Sequence, residues 1–152
     1  MSTRQADGFS IDHYQDGDES AMIELWRECG LVVPWNNPAT DIARKMADSP
    51  ELFFTGRIGG KLVASCMGGY DGHRGWIYYL AVTGPQQRKG LAAQLVAHVE
   101  AQLIALGCPK LELMVRDTNR EVIAFYQAIG FNLDPVRVLS KRLQQDEAHN
   151  FA

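Results

Sequence analysis

The chain has 152 residues, 46% of them hydrophobic and 22% charged, with a formal net charge of -3 and a pI near 5.8. That length fits one domain, residues 1–152 with a polar tail at 144–152, and the acidic balance argues against a nucleic-acid-binding face, which needs clustered positive charge. No apolar run approaches the ~20 residues that cross a bilayer, so no membrane partner is expected, and the polar Met1 to Gly8 stretch lacks the apolar core of a secretory leader, which predicts a cytoplasmic protein.

In chain order, Phe9 to Tyr14 alternates as a short strand before the turn Gln15-Asp16-Gly17. Met22, Leu25, Trp26 and Cys29 recur on one face of a helix that Gly30 can end. After the loop Leu31 to Asn37, Asn37 is placed to cap a second helix with Pro38 in its first turn and Ile42 and Met46 on its apolar stripe. Leu52 to Ile58 and Lys61 to Tyr70 read as a hairpin about Gly59-Gly60, and Asp71 to Gly75 turns the chain into a third strand, Trp76 to Val82. Leu91, Leu95, Val99, Leu103 and Leu106 stripe a long third helix, stopped by Gly107 and Pro109. Leu111 to Val115 follows as a strand parallel to the one before that helix, then a helix over Glu121 to Ile129. Phe131 to Leu133 and Val136 to Leu143 are expected to finish the sheet, with Gln144 to Ala152 a frayed tail.

Cys29, Cys66 and Cys108 are too scattered for a disulfide framework, and with His13, His73, His98 and His149 they make no metal-ligand spacing, so no metal is expected. The informative stretch is Gln87-Arg88-Lys89-Gly90-Leu91-Ala92, at the junction of strand and long helix. The first amides of a helix lack carbonyl partners, and with the helix dipole they form a cradle for anionic oxygens. Gly90 lets backbone approach a ligand, Ala92 keeps the first turn open, and Arg88 and Lys89 add positive charge. A pyrophosphate would fit there; a nucleoside triphosphate loop would need a Gly-Lys-Ser or Gly-Lys-Thr that is absent.

The spacing Gln87-x-x-Gly90-x-Ala92 resembles the acyl-CoA pyrophosphate loop of the GNAT superfamily of N-acetyltransferases. Downstream, Asn119-x-x-Val122-x-x-x-Tyr126-x-x-x-Gly130-Phe131 is similar to a second family segment, with Val122 where Ala is usual. Segments such as Pro34-Trp35-Asn36-Asn37-Pro38 and Gly107-Cys108-Pro109-Lys110 resemble the small bacterial YpeA-type members. The resemblance implies an α/β GNAT fold: a mixed, mostly antiparallel central sheet of about seven strands flanked by four helices, with a central strand pair splayed at the Val82 and Leu111 ends. It further implies acetyl-CoA as co-substrate, its pantetheine arm bonded to backbone at Leu80, Ala81 and Val82. Gln87, Arg88, Lys89, Gly90, Leu91, Ala92, Asn119 and Tyr126 complete the cofactor set, Asn119 having a helix N-cap as its competing role.

By the same resemblance Tyr126 is the general acid for the departing thiolate, its competing role being a half-buried core residue. A phenol near pKa 10 facing a thiolate near 8.5 gives up its proton uphill by about 2 kcal/mol, so hydrogen bonding fits better than full early transfer. Relatives carry a glutamate base on the strand before the loop, but Trp76-Ile77-Tyr78-Tyr79-Leu80-Ala81-Val82 has no carboxylate. Tyr79 as base or relay, Tyr78, His73, Asp71, Glu112 and water remain candidates. The family's acceptor pocket is shaped by the Leu31 to Asn37 loop, where Trp35 and Asn36 would meet the substrate together with Asp71 and His73, packing being the competing role of Trp35 and a plain turn that of Asp71 to Gly75. An α-amine near pKa 7.8 is more than a tenth neutral at pH 7 and a lysine near 10.4 roughly one part in a few thousand, so a missing base favours an α-amine or a low-pKa small-molecule amine within a small-molecule or peptide acceptor class. No cysteine is expected beside either motif, which favours direct transfer in a ternary complex. The other class is an acyl-CoA-binding sensor without turnover, and a homodimer is left open.

Overall fold

The computed structural model describes residues 8–151, so most of the Met1 to Gly8 reading lies outside the described residues. The elements are β1 (Phe9–His13), α1 (Glu19–Glu28), α2 (Pro38–Asp48), β2 (Phe53–Ile58), β3 (Lys61–Tyr70), β4 (Gly75–Val82), α3 (Leu91–Ala105), β5 (Leu111–Leu113) and α4 (Arg120–Ala128). The sheet order is β1-β2-β3-β4-β5, and each of the first three strands pairs antiparallel with the next. The chain forms two compact units, one running to Glu112 and including the segment from Asp146, the other Leu113–Gln145.

In the first unit, the turn between β2 and β3 holds Gly59 and Gly60 at φ of +57° and +78°, the left-handed pair that a two-residue hairpin needs to match strand twist. Successive residues of a strand face opposite sides. Phe53 therefore turns to Tyr14 and Trp26, with ring centroids at 4.6 and 6.2 Å, while Phe54 meets His98 of α3 edge-on at 4.7 Å. Helices α1 and α2 thus cover one face with Met22, Leu25, Trp26 and Ile42, and α3 covers the other with Leu91, Leu95, Val99 and Leu103. Asn37 caps α2 as expected, its side chain accepting from the amides of Ala39 and Thr40 at 3.1 and 3.2 Å. The stripe of α2 differs from expectation in burying Lys45, whose ammonium satisfies itself on the Gly68 carbonyl and the Ser49 hydroxyl.

The second unit carries α4, which ends through Gly130 at φ +105°, with the amide of Phe131 returning to the Tyr126 carbonyl at 3.0 Å. The expected count of seven strands is corrected to five among the described residues, because 131–133 and 136–143 form no ladder. Val138 and Leu139 are adjacent and break the two-residue period, and the Val136 amide closes a local turn onto Asp134 instead of reaching a neighbouring strand. Leu133, Val136, Val138, Leu139 and Leu143 consequently stay exposed.

Candidate active site

The centre of β4 is irregular. Ser65 stands opposite Ala81 and Met67 opposite Tyr78, so Cys66 alone faces both Tyr79 and Leu80. This is a bulge, which takes a residue out of the ladder and bends the strand. Tyr79 absorbs it at φ +53°, a conformation that aromatic L residues rarely adopt. Three contacts hold it there. The Ser65 hydroxyl donates to the Tyr79 carbonyl at 2.7 Å and itself accepts from the Trp26 indole N–H at 3.0 Å. The Tyr79 ring stacks on Trp26 with centroids 3.8 Å apart and planes 13° from parallel. Its hydroxyl donates to Asp41 Oδ2 at 2.6 Å. Beside the bulge, β5 has three residues to the eight of β4, and the Gly75 amide bonds Lys110 O at 2.8 Å, so β5 starts beside the start of β4 and is too short to line its Tyr79–Val82 half.

Past Val82 the chain makes a 3₁₀ turn, Gly84–Gln86, and enters α3 through Arg88 at φ +65° and Gly90 at +80°. Gly90 is the N-cap in the left-handed region and contributes no side-chain cap, so the amides that open α3 point from an uncapped helix end. A Cβ built on Gly90 meets nothing within 4 Å, and residues 87–90 are exposed. The start of α3 is therefore open, and Gly90 supplies the left-handed backbone conformation there. The Gln87 amide folds back to donate to Val82 O at 3.0 Å, which ties the loop to the strand. The same carbonyl accepts from the Cys29 thiol at 3.3 Å, so the expectation that no cysteine lies beside the loop is corrected: α1 delivers one. Burial pushes the Cys29 thiol above its ordinary pKa, which keeps it a donor here and not a thiolate.

The Leu31 to Asn37 loop is braced by the far end of the chain. Asp146, with a side chain 2% exposed, accepts from the Asn37 amide at 2.9 Å and pairs with Arg44 at 2.7 Å. His149 Nε2 sits 2.9 and 2.8 Å from the carbonyls of Val33 and Asn36, and its Nδ1 is 3.2 Å from the Phe151 amide. Carbonyls only accept, so Nε2 carries the hydrogen. Phe151 packs against the α1 and α2 core cluster, and the tail expected to fray is docked from Asp146 to Phe151. A hollow of about 490 Å³ opens between this segment and the start of α2. Trp35 is half exposed on the same loop.

The scan against family models matches residues 19–131 to the Acetyltransferase (GNAT) family. The chain belongs to the GNAT family. Curated relatives named acetyltransferase, from Yersinia pestis and Sodalis glossinidius, are each 43% identical to it across 90% of this chain and 96% of theirs. Among solved structures it is similar to Ard1 of Thermoplasma volcanium, with a TM-score of 0.75 at 21% identity over 84% of both chains. It is also similar to the ribosomal-protein-S18-alanine N-acetyltransferase of Escherichia coli, with a TM-score of 0.69 at 26% identity over 82% of this chain and 77% of that one. The protein is thus a GNAT acyltransferase with the family's α/β fold, and the family uses acetyl-CoA as co-substrate.

Within this GNAT chain the sequence-derived site residues scatter. Leu80, Ala81 and Val82 follow the bulge, and Gln87, Arg88, Lys89, Gly90, Leu91 and Ala92 form the loop and first turn beyond it. Asp71 and His73 are at the opposite end of β4, roughly 20 Å of strand away from Val82. Asp71 is occupied in holding its own turn, accepting from the amides of His73 and Arg74 and from the Trp76 indole, and those amide bonds lower its pKa. Glu112 pairs with Arg74 and Lys110. Burial first, then its bond to Asp41, drives the Tyr79 phenol far above its ordinary pKa, so it stays protonated at neutral pH and of its two candidate roles a relay fits better than a free base. In the second unit, Asn119 spends its side chain on the Val122 amide at 3.4 Å, the capping role, and Tyr126 is buried between Phe125 and Phe131, at ring distances of 5.0 and 5.3 Å. Missed by sequence reasoning is Asp41, a charged residue one turn into α2 with no motif around it. Among the described residues no group of three His, Cys, Asp or Glu could hold a metal ion, and no helix is long and apolar enough to cross a membrane.

Proposed function

We propose that this protein moves the acetyl group of acetyl-CoA onto a primary amine by direct transfer in a ternary complex, in the cytoplasm, with an α-amine as the preferred acceptor. The observation that carries the reading is the uncapped, exposed start of α3 behind Gly90. Charge-assisted hydrogen bonds contribute about 1.5–3 kcal/mol each, so a few amides there, with Arg88 and Lys89 beside them, suffice to anchor the pyrophosphate. Anchored at that end, the cofactor extends its pantetheine arm along the Leu80–Ala81 side of the bulge. The thioester is attacked by a neutral amine, and the Tyr126 hydroxyl hydrogen-bonds the departing sulfur. Cys29 stays outside the chemistry as a protonated thiol committed to Val82 O.

Two things support an α-amine: β4 offers no carboxylate, so a substrate already partly neutral at pH 7 is favoured, and the similar S18-alanine enzyme is a precedent for such an acceptor. The test is thiol release from acetyl-CoA in the presence of an alanine-terminated peptide, a lysine-bearing peptide blocked at its terminus, spermidine and an aminoglycoside. Turnover highest on the alanine-terminated peptide is the expected result. Tight acetyl-CoA binding with no thiol release on any amine would instead favour a sensor, a reading that the same missing carboxylate would fit.

A further inference from the structure

The carboxylate that β4 lacks is brought to it by α2. Tyr79 sits at the bulge directly before the Leu80–Val82 segment, and Asp41 lies one turn beyond the Leu31 to Asn37 loop, its amide bonded to Asn37 O at 2.9 Å. Their 2.6 Å bond therefore joins the strand on which the thioester would lie to the loop that would shape the acceptor pocket. Packing alone would be satisfied by phenylalanine, since stacking on Trp26 uses only the ring. The hydroxyl and the carboxylate need another reason, and so does a left-handed tyrosine, which persists only where surrounding contacts enforce it.

The two oxygens of Asp41 are unequally engaged. Its Oδ2 accepts from Tyr79, while its Oδ1 meets Arg44 only at 3.4 Å, because Arg44 makes its shorter bond, 2.7 Å, with Asp146. Arg44 and Asp146 are the charged groups that face the pair. With its hydrogen committed to Asp41, the Tyr79 oxygen presents lone pairs to an incoming N–H.

We propose that Tyr79 and Asp41 form the proton-accepting pair for the acceptor nitrogen: the tyrosine oxygen receives an amine hydrogen while its own passes to the carboxylate. This rests on the amine acetyltransfer reading above. As the nitrogen lone pair forms the C–N bond, the N–H bond breaks to Tyr79 and the tyrosine O–H hydrogen moves to Asp41. The C–S bond then breaks with its electrons on sulfur, and Asp41 later returns the proton to solvent. One proton enters Tyr79 and one leaves, so no phenolate forms, which suits a phenol half-buried against the core. Tyr79 touches the reacting nitrogen; Asp41 acts through it.

The test uses the alanine-terminated peptide and acetyl-CoA with Asp41→Asn, Asp41→Ala, Tyr79→Phe and the double variant Asp41→Asn with Tyr79→Phe. A general base contributes about 10²–10⁴-fold, so each single variant should lose about a hundredfold in kcat with acetyl-CoA affinity by calorimetry unchanged. The double variant should lose no more than the worse single, because one route is being cut twice. Formate should restore part of the turnover of Asp41→Ala, a rescue that a purely structural role would not show. Wild-type kcat in Asp41→Asn, equal loss of cofactor affinity, or failure of formate rescue in folded Asp41→Ala overturns the pair. A wild-type protein that releases no thiol with any amine overturns the broader function instead, and the two failures are separate readings.

Discussion

The two ends of the candidate cofactor track on β4 are built by opposite means. At Tyr79 the backbone is held in an unfavourable conformation by Trp26, Ser65 and Asp41, drawn from α1, β3 and α2. At Gly90, after the strand has ended, the backbone again turns left-handed, yet nothing lies within 4 Å of where a Cβ would stand. The first is a conformation imposed by tertiary contacts, and the second is one that glycine adopts at no steric cost. Damage to the bulge should therefore register as lost stability, and damage to the loop as lost binding.

The largest effect is expected from Trp26→Ala, which removes a fully buried indole, its bond to Ser65 and its stack on Tyr79. A loss of about 3–5 kcal/mol is expected in denaturant unfolding. A loss below about 1 kcal/mol would mean that the bulge does not depend on that side chain. Next comes Gly90→Asp, which places an anion at the cradle: acetyl-CoA affinity should fall at least about a hundredfold by calorimetry, with an unfolding cost of about 1–2 kcal/mol from the left-handed backbone. Unchanged affinity in a folded variant would remove the loop from cofactor binding. The smallest effect sharpens the contrast by sparing both stability and cofactor affinity. Tyr126→Phe should lower kcat by about tenfold, because a thiolate near pKa 8.5 needs only modest help to leave. Full turnover in that variant would take the hydroxyl out of the mechanism.

Legibility in the sequence followed the range of the interactions. The Gly90 loop, the Asn37 cap and the Gly59-Gly60 hairpin are local, with residue type and conformation set within a few positions, and each could be read from the string. Register shifts are not local: that Cys66 faces two residues of β4 depends on pairing across the sheet, and no pattern in Trp76 to Val82 announces it. Asp41 and Cys29 reach β4 only once α1 and α2 have packed, which is why one carboxylate and one thiol escaped notice. The strands expected over 131–143 failed for the converse reason, since alternation proposes a strand but only a partner edge completes one. The polar tail misled in its turn. Asp146 and His149 have ordinary surface chemistry, and their burial is decided by carbonyls and amides more than 100 positions earlier.

That docked tail has a practical corollary for anyone handling the protein. A purification handle or fluorescent reporter fused downstream would hang from the stretch Asp146 to Phe151, which clasps Val33, Asn36, Asn37 and Arg44. Drag on such an appendage would reach the loop proposed to shape the acceptor pocket, so assays of acceptor preference belong on protein tagged elsewhere or with the tag cleaved.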